Sequence, residues 1–244
     1  MARMAALVTV AGLVAAGPAT AAAPMVKTPA PGFYRMMLGD FEVTALNDGT
    51  FAMPADKLLQ QPAEKTARAL EHSFLKSPVE ASVNGFLINT GSKLVLVDAG
   101  AGSFFGPTLG KLVANLKASG YEPAQVDEIY ITHMHADHVG GLVANGERVF
   151  PNAVVRVDRR DADYWLSEAN MDRAPASMKD FFKGAMASLK PYQAADKLKT
   201  FDGSGELMAG VKALASHGHT PGHTSYVVES NGKKLVLLGD LIHV

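Results

Sequence analysis

The chain has no cysteine among its 244 residues, which excludes disulfides, zinc–thiolate sites and thiol nucleophiles together. Any transition metal it binds must be held by imidazole and carboxylate. An excess of either charge is missing too: 23 Lys and Arg stand against 24 Asp and Glu, a formal net charge of -1. With no basic block, the electrostatic footprint of a nucleic-acid binder is absent. Aromatic residues make up only 7%, with a single tryptophan, Trp165. No apolar run reaches the ~18 residues that a membrane-spanning helix needs. No repeat of about 20–50 residues recurs, which excludes a solenoid. What remains is 48% hydrophobic with 23 Gly and 13 Pro. That composition belongs to a globular α/β protein with a substantial core.

The N-terminus differs from the rest. Arg3 precedes an apolar stretch from Met4 to Ala16, and the small residues Ala19, Thr20 and Ala21 follow. This order reads as a signal peptide over residues 1–21, cleaved on export to a bacterial periplasm or beyond, with no membrane segment in the mature form. Pro24, Pro29 and Pro31 make residues 22–32 an extended lead-in, and residues 33–244 hold the folded domain.

Within that domain, Tyr34 to Leu46 reads as a hairpin turning at Gly39-Asp40. Ala67, Leu70 and Phe74 recur at helical spacing from Ala63 onward. A second hairpin pairs Phe86-Leu87-Ile88 with Leu94-Val95-Leu96-Val97 and ends at Asp98. Pro107 is placed to start a helix whose Leu109, Leu112, Val113 and Leu116 share a face and which stops at Gly120. Ile129-Tyr130-Ile131 and Val154–Val157 read as buried strands; Asp161–Ser167 and Ser177–Leu189 read as helices. The last third is a meander of Val211–Ala215, Tyr226–Glu229 and Leu235–Leu238, with a turn at Asn231-Gly232. The hairpins ending at Asp98 and at Asp240 echo each other. Either the echo marks two halves that stack sheet on sheet with helices outside, or it is coincidence between apolar strands.

Chemistry concentrates in Thr132-His133-Met134-His135-Ala136-Asp137-His138-Val139-Gly140-Gly141. Three imidazoles and a carboxylate fall within six residues, directly after a buried strand. A loop leaving a strand end can converge them on one point, whereas a helix would splay them around its axis. Desolvating four such groups without a cation is costly, and imidazole with carboxylate suits Zn²⁺ and its first-row neighbours. A second cluster, His217-Gly218-His219-Thr220-Pro221-Gly222-His223, follows a strand, and Gly239-Asp240 ends another.

In this order the three elements resemble the metallo-β-lactamase superfamily, whose pattern is H-x-H-x-D-H, a Gly-flanked His, an Asp and a final His. The resemblance implies an αββα sandwich, two stacked mixed sheets with outer helices. It also implies two divalent metal ions, most simply Zn²⁺. Carried over by position, His133, His135 and His219 bind the first metal; Asp137 and His138 bind the second; Asp240 bridges both. Asp98, in Asp98-Ala99-Gly100, orients the metal loop. Thr220 and His223 shape the ligand loop, and His217 is structural. The family's last His lies some tens of residues beyond the bridging Asp, whereas His243 follows Asp240 too closely to fill that role. The expectation is therefore a fold incomplete at its C-terminus and a second metal site short of one ligand.

Longer runs resemble the methyl parathion hydrolase branch with its lactone- and aryl-ester-hydrolysing relatives: Pro31 to Asp48, Asn89 to Gly100, Phe105 to Asn115, Val126 to Gly141, Phe181 to Leu189 and Ala213 to Glu229. The branch implies a leaving-group pocket lined by Phe105, Trp165 and Phe181, although Trp165 is equally readable as core. Leu58 stands where organophosphate-hydrolysing members carry Arg, and His243 where they carry Leu. Both pocket positions turn the resemblance toward lactonase or arylesterase, with organophosphate triesters secondary. The implied reaction uses a hydroxide shared by two metals, with Asp137 and Asp240 as the acids beside it, on a small ester or lactone, in a chain that pairs as a homodimer. Two alternatives stay open: a β-lactamase or thioesterase on the same fold, and an inactive metal-binding fragment.

Overall fold

In the computed structural model, residues 23–59 and 61–243 are described, so the signal-peptide reading lies outside the described residues. Residues 23–32 carry neither helix nor strand. From Pro31 onward the chain forms one compact unit.

Alternation of apolar and polar residues gives the first strands. β1 (Phe33–Leu38) and β2 (Phe41–Met53) form the expected hairpin across Gly39-Asp40, and β2 runs on well past Leu46. β2 is bulged between Asn47 and Gly49 where it pairs with β3 (Val79–Asn89), a kink that will matter to the site. Two helices separate these strands, α1 (Ala55–Leu58) and α2 (Ala63–His72). β4 (Leu94–Val97) pairs antiparallel with β3 and then parallel with β5 (Glu128–Tyr130). Between them lies α3 (Leu112–Ala118). After β5 come the short α4 (Ala136–Val139) and a small hairpin of β6 (Val143–Ala144) and β7 (Glu147–Arg148). β8 (Val154–Asp158) leads into α5 (Arg159–Trp165), α6 (Glu168–Arg173) and α7 (Lys179–Ala194). β9 (Leu198–Phe201) completes a seven-stranded sheet, β1-β2-β3-β4-β5-β8-β9. A second sheet follows from β10 (Gly205–Met208), β11 (Val211–Ala215), β12 (Thr224–Ser230) and β13 (Lys233–Leu237), all paired antiparallel.

Strand periodicity decides what each face buries. In β4, Leu94 and Leu96 enter one core cluster while Val95 and Val97 enter another; in and beside β5, Ile129 and Ile131 part in the same way from Tyr130. The first cluster lies under the helices, with Leu112 and Leu116 of α3, Trp165 of α5, and Phe182, Ala185 and Leu189 of α7. The second lies between the sheets, where Val43, Ile88 and Val97 meet Val211, Tyr226 and Val228. The stack of two sheets is the expected one; among the described residues the helices pack over the larger, mixed sheet, and the smaller sheet is antiparallel throughout. On the outer side of the smaller sheet Leu214, Val236 and Leu238 stay exposed. No helix among the described residues is long and apolar enough to cross a membrane.

Glu128 is a buried acid at the far end of β5 from the histidines. Its carboxylate accepts from Arg156 at 2.5 Å and from Tyr130 at 3.1 Å, and pairs with Lys93. Burial pushes its pKa up, but Arg156 and Lys93 together hold it below the ordinary value. We expect Glu128→Gln to cost about 1–3 kcal/mol, since both cations keep partial access to water. A folded pKa below the unfolded one gives stability that is complete above about pH 4.5 and lost as pH falls through the folded value. Denaturation of the two proteins at pH 7 and pH 3.5 should therefore show a gap that narrows in acid.

Candidate metal centre

Three loops, each leaving a strand end on the same side of the sheets, bring the site together. The first follows β5. Asp98, just after β4, accepts from the Thr132 backbone N–H at 2.8 Å and from the Thr132 hydroxyl at 2.8 Å. Its Oδ2 also lies 2.8 Å from His138 Nδ1, which turns His138 Nε2 toward the site. Asp98 adopts φ 57°, a left-handed conformation uncommon for a non-glycine residue, and these contacts fix it there.

The next loop connects β11 to β12 and carries His219; the last follows β13 and carries Asp240. His219 Nε2 and His133 Nε2 each lie 3.1 Å from His135 Nδ1. Asp240 stands at the junction. Its Oδ1 is 3.2 Å from His138 Nε2, and its Oδ2 is 3.4 Å from His219 Nε2 and 3.7 Å from His133 Nε2. Asp137 completes the group, with Oδ2 at 3.5 Å from His138 Nε2. All six residues expected to bind metal are therefore brought together. His133, His135 and His219 offer three nitrogens within 4.8 Å of one another, as do the donor atoms of His133, His138 and Asp240.

The protonation states of His133 and His135 suit ligands. Burial depresses the His133 pKa well below its ordinary value and pushes that of His135 down to about 3, so both imidazoles are neutral at pH 7 with lone pairs to donate. For His138 burial acts downward too, but Asp137 and Asp98 outweigh it and raise the pKa well above ordinary. Asp240 is desolvated, yet hydrogen bonding from His138, His219 and His243 holds it far below the carboxylate range. Neutral His133 and His135 beside the ionised Asp240 fit a divalent cation, and His138 would bind one by giving up the proton that its carboxylate neighbours favour.

The remaining expected residues fall differently. His243 comes within 3.0 Å of Asp240 Oδ2, and His219, Asp240 and His243 form a third convergent group. His223 does shape the loop: its Nε2 accepts the Asp240 backbone N–H at 3.0 Å, and its Nδ1 lies 2.8 Å from Ser216 Oγ. His217 sits outside, 2.8 Å from an Arg160 nitrogen. Phe181 and Trp165 flank His135 with ring centroids at 5.1 Å and 5.2 Å. Trp165 is only 2% exposed and belongs to the helix-side core, so it backs His135 from beneath. Phe105 is partly exposed beside Phe51, and Leu58 is exposed at the end of α1.

Two acids had no signal in the sequence. Asp48, in the β2 bulge, accepts backbone N–H groups from Ala101, Gly110 and Leu112, each at 2.9 Å. Asp161, in the first turn of α5, accepts from Met134 N at 2.9 Å and Gly222 N at 2.6 Å.

Stacked sheets with a His/Asp centre at their strand ends define a metallohydrolase-type architecture. Residues 79–244 match the model of the metallo-beta-lactamase superfamily, and the chain belongs to that family. Its curated relatives include the N-acyl homoserine lactonase of Bacillus cereus, 31% identical over 128 residues, a match covering 52% of this chain and 43% of that protein. The corresponding protein of Agrobacterium fabrum is 30% identical over 126 residues, covering 52% and 44%. The chain thus spans less than half the length of these relatives. Among solved structures, hydrolase AbOPH of the beta lactamase superfamily is 37% identical with a TM-score of 0.81, covering 88% of this chain and 76% of that one. AidC, a dizinc quorum-quenching lactonase in complex with a product, is 27% identical with a TM-score of 0.77, covering 86% and 75%.

Proposed function

We propose that this chain carries the metal centre of a hydrolase that opens lactones and cleaves aryl esters, with organophosphate triesters as a secondary substrate class. The observation that carries the proposal is the convergence of His133, His135 and His219 with Asp137, His138 and Asp240 at one mouth. The lactonase relatives support the lactone class, and the aryl-ester and triester classes rest on the resemblance of the longer sequence runs. His133, His135 and His219 would hold one Zn²⁺, and Asp137, His138 and Asp240 a second. Bound there, divalent ions polarise a carbonyl or phosphoryl oxygen and lower the pKa of water from 15.7 toward about 7.

The chain's own groups do the rest. Asp98 fixes which nitrogen of His138 faces the centre. Asp240 stays ionised between the loops, where it would serve as the shared anionic donor that holds the geometry of both sites. Phe181 presents an apolar surface beside His135 for the organic part of the substrate; the resemblance assigns Phe105, which lies beside Phe51, to the same pocket. His243, on Asp240, and Leu58 are the positions that tilt the site toward esters and lactones rather than triesters. Export is part of the proposal, supported by Arg3, the apolar stretch from Met4 to Ala16, and Ala19 to Ala21.

The test compares turnover of an N-acyl homoserine lactone, dihydrocoumarin, phenyl acetate and methyl parathion, with and without exhaustive chelation. We expect lactone and aryl ester turnover to exceed triester turnover, to vanish on chelation and to return with Zn²⁺. Turnover that survives complete metal removal overturns the mechanism. Preferential turnover of nitrocefin or S-lactoylglutathione instead places the chain with β-lactamases or thioesterases.

A further inference from the structure

We propose that Asp161, which lies outside every metal-binding motif, is the positioning residue that sets the spacing between the two histidine loops. The inference rests on the metal-centre reading above and adds a part to it.

The first metal triad draws on two loops far apart in sequence. His133 and His135 come from the segment after β5, and His219 from the segment between β11 and β12. Something must hold those backbones at the separation that leaves His219 Nε2 and His135 Nδ1 3.1 Å apart. Met134 lies between the two first-loop ligands, and its N–H is given to Asp161 Oδ2 at 2.9 Å. Gly222, three residues after His219, gives its N–H to Asp161 Oδ1 at 2.6 Å. One carboxylate, wholly buried, therefore ties the two ligand loops to each other through their main chains.

Each feature of the clamp has a chemical reason. Two backbone N–H groups arriving from opposite sides need a planar group that is acceptor on both oxygens, which an ionised carboxylate is and an amide is not. Gly222 lets its loop come close enough: a Cβ there would lie 2.5 Å from Asp161 N and 2.9 Å from Asp158 Oδ1. The acid itself is seated firmly. Asp158 caps α5 by accepting Arg160 N at 2.8 Å and also takes Gly203 N at 3.0 Å, so the helix cannot slide along its strand. The same helix presents Trp165 against the His135 ring, giving that ligand a wall as well as a tether.

The second metal's ligands are placed differently. Asp137 and His138 sit on one loop, and Asp98 orients His138. The clamp therefore acts on the triad that spans both loops more than on this pair, and the two sites report on it separately.

The experiment is Co²⁺ titration of the metal-free full chain, followed by calorimetry and by visible absorption, for the wild type, Asp161→Asn and Gly222→Ala. Asn keeps one acceptor and turns its amide NH2, a donor, toward the other N–H; Ala wedges the clamp open from the loop side. We expect each variant to weaken binding at the triad by roughly 10–100-fold, the range seen when groups supporting metal ligands are lost. The cobalt band of that site should shift, while the remaining site keeps its affinity to within a few-fold. If either variant folds and binds Co²⁺ at the triad with wild-type affinity and spectrum, Asp161 merely supports the fold and the clamp is overturned. A wild-type chain that takes up no Co²⁺ overturns the metal centre itself, and the clamp with it.

Discussion

Asp240→Ala should lower kcat/KM for a lactone or aryl ester by at least about 1,000-fold, or about 4 kcal/mol of transition-state stabilisation. Among the described residues, Asp240 is the one carboxylate that meets imidazoles from all three loops: His138 and His133 of the first, His219 of the second, and His243 beyond its own strand. Its two oxygens divide the work. Oδ1 faces His138, on the side of the second site, while Oδ2 faces His219 and His133, on the side of the first. Removing it deprives both sites of a shared anionic donor and so of the geometry on which the proposed reaction depends. The loss should therefore appear in kcat more than in KM, because the apolar wall at Phe181 is untouched. The measurement is kcat and KM after reconstitution with Zn²⁺, alongside the metal content of the purified protein. A variant within tenfold of wild type would remove Asp240 from the proposed chemistry. Asp240→Asn, which keeps the volume and loses the charge, should fall between the two.

The residues that converge at the centre were readable in the sequence because four of them share one short spacing and two follow the family's order. His133, His135, Asp137 and His138 share one short loop, and His219 and Asp240 each follow an apolar strand in the family's order. The groups that hold those ligands were not readable, since Asp48 and Asp161 act on main-chain N–H groups that leave no trace in residue type. The missed boundaries have the same origin. Pro107 looked like a helix start, yet Asp48 claims the N–H groups of Gly110 and Leu112, holding the chain as a loop until α3 begins at Leu112. Phe74 looked like the last turn of α2. Instead it takes φ 59° and is 99% exposed, while Phe74 N bonds Glu71 O at 2.9 Å and Leu75 N bonds Leu70 O at 2.8 Å. That is a helix terminus of the kind glycine usually provides, and with no glycine there the sequence gives no warning. The apolar strands, by contrast, were legible as strands, and the hairpin pairings of β1 with β2, β3 with β4 and β12 with β13 came with them. The partly polar β9 and β10 went unseen.

Gly141→Ala should destabilise the folded chain by about 3 kcal/mol or more, lowering its melting temperature by roughly 6–12 °C. The reason is a close pairing of two backbones. Gly141 N donates to Gly100 O at 2.9 Å, and Ala99 N donates to His138 O at 2.8 Å, so the segment after Asp98 lies directly on the end of the metal loop. A Cβ on Gly141 would stand 1.9 Å from the Ala99 carbonyl oxygen, and one on Gly140 would stand 2.2 Å from that of Ala101. Backbone atoms cannot yield as a flexible side chain would, so one segment must lift from the other. Gly205→Ala provides the comparison: nothing lies within 4 Å of its Cβ, and the change should stay within about 0.5 kcal/mol. The same displacement carries chemical weight. Ala99 follows Asp98, whose carboxylate aims His138, and the His138 carbonyl is itself bonded to Ala99. Lifting the segment therefore misdirects a ligand as it loosens the fold, and Zn²⁺ affinity at the Asp137–His138–Asp240 site should fall together with the melting temperature. A Gly141→Ala protein that melts like the wild type would contradict the tight pairing. One that melts early but binds both metals as before would show that the contact stabilises the fold without aiming the ligand.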